Sequence, residues 1–116
     1  MELRRRAPRI KTDWLGLCRL DDAPDSVVRD CRVIDISLLG VGVEVFSDGD
    51  DRLVGRVLVV EVEPPIGSSV RLRLSGQVMN QGRTPAGLTR VGLQFVGLSE
   101  TERAVLEVIE QLKMFW

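Results

Sequence analysis

The chain has no histidine and no tyrosine, and only two cysteines among its 116 residues. Without histidine there is no histidine-based triad, no histidine-ligated metal and no general base of the usual kind. Cys18 and Cys31 are too few for a zinc site when no histidine assists, and they read as buried thiols. Catalysis is therefore not expected, nor is a metal or cofactor. Aromatic residues make up only 4% of the chain, which argues against an RNA- or DNA-binding barrel built on stacking platforms. No apolar run approaches the roughly 20 residues that span a bilayer, so membrane insertion is not expected. The charged N-terminus lacks the apolar stretch of a secretory signal. A cytoplasmic protein is the expectation.

What the chain does have is aliphatic β-forming sequence and one concentrated charge. Hydrophobic residues make up 44%, enough for a single core in one domain. The formal charge of −1 conceals an asymmetry. Arg4, Arg5, Arg6, Arg9 and Lys11 against Glu2 give residues 1–11 a net +4, which leaves −5 on the rest. A basic arm on a mildly acidic body points to a specific anionic partner rather than to general coating of nucleic acid.

Residues 1–11 show no apolar period, and Pro8 biases Ala7 towards extended geometry, so a mobile arm is expected. Trp14 to Leu20 reads as a first strand and Val27 to Ser37 as a second, around a turn at Asp21 to Ser26. A hairpin centred there brings Cys18 near Cys31, with no disulfide expected in a cytosolic setting. In the second strand, alternation puts Ile34 and Ile36 in the core and leaves Asp35 and Ser37 together at the surface. Gly40 supplies backbone freedom for a tight reversal. Val41, Val43 and Val45 alternate as a third strand, before an acidic loop from Ser47 to Asp51.

Arg56 to Glu63 is a fourth strand, ended by Pro64, Pro65 and Gly67. Val70, Leu72 and Leu74 alternate with solvated Arg71 and Arg73 in a fifth, running as far as Met79. Asn80 to Gly87 reads as a loop, and Leu88 to Phe95 as the sixth strand, with Val91, Leu93 and Phe95 inward. Ser99 and Glu102 then form a capping box. Val105, Val108, Ile109, Leu112 and Phe115 or Trp116 follow at helical spacing. The expectation is mainly β: a six-stranded antiparallel barrel over residues 12–98, a C-terminal helix over 99–116 and a basic arm over 1–11.

Two short runs carry a resemblance. Arg5-Arg6-Ala7-Pro8-Arg9 resembles the Arg-x-x-x-Arg arm of the PilZ domain family, and Asp35-Ile36-Ser37-Leu38-Leu39-Gly40 its Asp/Asn-x-Ser-x-x-Gly turn. The strand order, Val91-Gly92-Leu93-Gln94-Phe95 and the terminal helix after Leu98-Ser99 are also similar to that family. One departure is Leu39, where many relatives carry a second glycine. The resemblance implies a split barrel of PilZ type and a bacterial receptor for cyclic di-GMP, bound by Arg4, Arg5, Arg9, Asp35, Ser37 and Gly40.

The chemistry suits that ligand. An arginine fork pairs with phosphate or with guanine O6 and N7, and lysine lacks the fork. Asp35 accepts from the donor edge of guanine, Ser37 offers a small hydroxyl and Gly40 admits a close approach. Within the family that the chain resembles, an arginine just before the first motif arginine accompanies a stacked pair of nucleotides, so the resemblance extends that expectation to Arg4. With Met1 in place and no room for an output domain, a stand-alone protein is expected that signals in trans to an unidentified partner. The family link implies signal transduction in motility or biofilm control. The competing reading is a PilZ-like adaptor that binds proteins and not the nucleotide.

Overall fold

The computed structural model describes residues 8–22, 28–46, 52–64 and 71–113. Arg4, Arg5, Arg6, the Ser47 to Asp51 loop, Pro65, Gly67, Val70, Phe115 and Trp116, all named above, lie outside those residues. So does the middle of the first turn, from Ala23 to Val27. Six strands and one helix are described: β1 (Ile10–Leu20), β2 (Arg29–Ile36), β3 (Gly40–Val45), β4 (Val57–Val62), β5 (Leu72–Arg83), β6 (Thr89–Phe95) and α1 (Glu100–Lys113). The strands close a barrel in the order β1-β2-β3-β6-β5-β4, with β4 returning to β1 and every pair antiparallel. Among the described residues every strand has a neighbour on both sides, as closure requires. The described helix is too short and polar to cross a membrane.

Alternation supplies the core as expected. Val41, Val43 and Val45 of β3, Leu72 and Leu74 of β5, and Val91 and Leu93 of β6 are all buried. Phe95 packs against them while partly exposed. Arg71 and Arg73 point outward, beside Glu63 and Glu61. Cys18 and Cys31 are buried, free and diagonal across β1 and β2, because Cys31 pairs with Gly16 and Cys18 with Arg29. The hydrogen bond to Cys18 and burial together push the Cys31 thiol well above its ordinary value, so it stays protonated.

Several expectations need correction. In β2 the inward residues are Cys31 and Val33, not Ile34, and Ile36 resumes the inward face. The register against β3 shifts by one between Val33 and Asp35, so Ile34 is the extra residue of a β-bulge. On β1 the Thr12 hydroxyl donates to the Val33 carbonyl at 2.7 Å, supporting the backbone there. The first strand also begins at Ile10 rather than Trp14, because Ile10 pairs with Ile36 and Lys11 with Asp35.

The second correction concerns β5, which runs to Arg83 rather than stopping at Met79. Asn80, Gln81, Gly82 and Arg83 pair with Gly92, Val91, Arg90 and Thr89 of β6, past a bulge at Met79. Cross-strand pairing overrides the weak strand propensity of Asn and Gly. The true turn is the short stretch after Thr84, where Gly87 adopts φ 88°.

The third concerns α1. It buries Leu106 and Ile109, with Val105 partly packed, while Val108 and Leu112 are exposed. Successive residues turn by about 100°, so Val108 lies roughly 130° from the mean direction of Leu106 and Ile109. A helix resting on a barrel touches it along only a narrow strip. The cap itself is as expected: the Glu102 amide donates to Ser99 Oγ and the Ser99 amide to Glu102 Oε1, both at 3.1 Å. Ser99→Ala should lower stability by about 1 kcal/mol, read as an earlier urea midpoint with an unchanged slope.

Candidate functional site

The bulge at Ile34 decides where Asp35 goes. Counting by twos from inward Val33 would send position 35 into the core; the extra residue turns it to the outer face, paired with Gly42. There Asp35 is not openly exposed as the alternation implied, but only 6% accessible. Two neighbours account for this. The Arg9 guanidinium donates from Nη1 to Asp35 Oδ1 at 2.7 Å. On the other side the carboxyl lies against Gly42, where an added Cβ would stand 2.8 Å from Oδ2 and 3.0 Å from Oδ1.

Arg9 itself remains 67% exposed, so the pair adds at most about 1 kcal/mol to stability. Its value is positional. It ties the end of the N-terminal arm to β2, and the guanidinium keeps further N–H donors for an anion or a base. Lys11 is exposed on β1 and pairs with Asp35 in register.

Ser37 and Gly40 build the reversal between β2 and β3. The Ser37 amide donates to the Gly40 carbonyl at 2.9 Å. Ser37 Oγ accepts from the Leu39 amide at 3.1 Å and the Gly40 amide at 3.2 Å. Both lone pairs of the hydroxyl therefore serve the turn. Gly40 does not have a positive φ, contrary to the need for backbone freedom. What it requires is the absence of a side chain: a Cβ there would stand 2.1 Å from the Leu93 carbonyl oxygen on β6. The Leu39 side chain is exposed at the tip, and the residue serves the turn through its backbone, its carbonyl also accepting from the Phe95 amide at 3.0 Å.

Arg9, Asp35, Ser37 and Gly40 thus occupy one end of the barrel's outer face; Arg4 and Arg5 lie outside the described residues. Strand alternation gives no site role to two glycines, Gly42 and Gly92, that face each other across β3 and β6. Composition places Asn80, which pairs with Gly92, in a loop. Their signal was present as an outward glycine on each of two otherwise regular strands, which marks a close approach by something else.

The chain belongs to the PilZ domain family, whose model matches residues 3–111. Its solved structural neighbours carry the same fold. The PilZ domain of YcgR from Escherichia coli, solved with c-di-GMP, matches with a TM-score of 0.68 at 20% identity, over 91% of this chain and 88% of that one. A longer YcgR structure from Escherichia coli, in complex with c-di-GMP, gives 0.72 at 22% identity, over 96% of this chain and 46% of that one. The Bacillus subtilis inhibitor of motility, MotI/DgrA, gives 0.74 at 15% identity, over 97% and 53%. The chain therefore spans only about half the length of the two longer neighbours. No curated protein matches it in sequence.

Proposed function

We propose that this chain is a non-enzymatic bacterial receptor for cyclic di-GMP that works in the cytoplasm and signals in trans to a partner protein. Arg5 and Arg9 grip phosphate or guanine, aided by Arg4, and Asp35 accepts from the guanine donor edge. Ser37 and Gly40 hold the turn that sets Asp35 in place. The observation that carries this reading is the 2.7 Å contact between Arg9 and Asp35, which joins the two motif segments on one face of the barrel. Membership of the PilZ family and the nucleotide named for the YcgR structures support it. The motility inhibitor among the neighbours favours an output in motility or biofilm control. Ligand that bridges the arm and the strand-turn alters the surface a partner meets, which is the basis of the switch.

Calorimetric titration of cyclic di-GMP into the parent, Arg5→Ala and Arg9→Ala proteins tests this, with cyclic di-AMP as control. Saturable, guanine-selective binding by the parent is expected, weakened by about tenfold or more in each variant. The stoichiometry gives one or two nucleotides per chain. A parent that releases no heat and shows unchanged NMR spectra at high ligand concentration overturns the receptor reading in favour of a protein-only adaptor.

A further inference from the structure

The outer face of the barrel holds a second polar group, set up in the same way as Asp35. Asp35, Gly42, Gly92 and Asn80 form one row across β2, β3, β6 and β5. All four lie on the outside, because Val41 and Val43 flank Gly42, and Val91 and Leu93 flank Gly92, on the inside. Each polar end of the row follows a bulge: Ile34 is the extra residue before Asp35, and Met79 the extra residue before Asn80. Val33 and Val78 are both inward, so without the bulges positions 35 and 80 would both face the core. Bulges re-aim side chains in this manner beside functional sites.

The two side chains then lean over the row. A Cβ on Gly42 would meet the Asp35 carboxyl at 2.8–3.1 Å, and one on Gly92 would meet the Asn80 carboxamide at 2.9–3.2 Å. Gly42 and Gly92 are partners on neighbouring strands, about 5 Å apart. The carboxylate and the carboxamide therefore lean in from opposite sides, from β2 and β5, over two neighbouring residues that carry no side chain. Among the described residues Arg9 occupies Asp35 Oδ1, whereas Oδ2 and the Asn80 carboxamide have no hydrogen-bond partner.

Resting on the receptor reading above, we infer that Asn80 is a base-reading residue, which together with Asp35 grips the edge of a guanine lying against the outer side of these two side chains. A carboxylate only accepts, whereas a carboxamide also donates. The Watson–Crick edge of guanine presents N1–H and N2–H2 donors next to the O6 acceptor. Asp35 takes the donors and the Asn80 amide donates to O6. Adenine offers the reverse order, with its N1 lone pair facing the carboxylate, so the same pair rejects it. Asn80 is exposed and, among the described residues, makes no side-chain hydrogen bond that holds the fold.

The test titrates cyclic di-GMP and cyclic di-AMP into the parent, Asn80→Ala and Asn80→Asp proteins, with urea unfolding of each. Asn80→Ala should bind cyclic di-GMP about tenfold more weakly, and Asn80→Asp, which sets a carboxylate against O6, about 100-fold more weakly. The unfolding midpoints should stay close to the parent's, since an exposed side chain is removed. The Asn80 side-chain amide resonances should shift on saturation of the parent. If the parent binds and both variants bind as it does, the role of Asn80 is refuted while the receptor reading stands. If the parent binds nothing, both fall together.

Discussion

An Asp35→Ala protein is expected to bind cyclic di-GMP at least about 100-fold more weakly than the parent. It should nevertheless unfold at nearly the same urea concentration. The two halves of that expectation have separate causes. In the proposed complex the carboxylate accepts from two guanine donors, and hydrogen bonds to a charged group each contribute about 1.5–3 kcal/mol. Among the described residues its ion pair in the free protein is with Arg9, a side chain that is 67% exposed and stays solvated when the partner is gone. The converse substitution is not symmetric. Arg9→Ala strands a carboxylate in a residue only 6% accessible, so it should destabilise the fold more than Asp35→Ala does. Calorimetry and urea unfolding on the same three proteins separate these effects. An Asp35→Ala protein that binds within about threefold of the parent overturns the assignment of Asp35.

Gly40→Ala should lower stability by about 3 kcal/mol, the upper part of the range for overpacking. The added Cβ meets the Leu93 carbonyl oxygen at 2.1 Å, and that carbonyl belongs to the strand with which β3 is paired. Neither backbone can retreat without opening β3 from β6, which also moves the turn that holds Asp35. With a slope near 2 kcal/mol per molar urea, the midpoint should fall by roughly 1.5 M. Gly82→Ala is the matched control: a Cβ there meets nothing within 4 Å, and the backbone is not in the left-handed region. It should lie within about 0.5 kcal/mol of the parent. A Gly40→Ala protein as stable as the Gly82→Ala control would show that the close approach of β3 and β6 carries no constraint.

Much of this protein was determined by local sequence. Valine and leucine alternation is a property of the strand itself, and Val41, Val43, Val45, Leu72, Leu74, Val91 and Leu93 went inward accordingly. Ser99 and Glu102 capped the helix because both partners of that motif lie within four residues. The two motif segments were also legible, and the Arg9–Asp35 contact joins them.

Tertiary structure decided the rest. Nothing within β2 shows that Ile34 will be squeezed out as a bulge; that follows from the register it must share with β3. Asn80 and Gly82 look like turn residues until β6 pairs with them. Leu106 replaces Val108 at the helix interface because the barrel sets the direction in which α1 is buried. Gly40 was identifiable as a motif residue, but its reason lay in a carbonyl more than fifty residues away on another strand. Local sequence sets which conformations each segment favours. The closing of the barrel sets which strand lies beside which and in what register, and so places Asp35, Gly42, Gly92 and Asn80 in one row.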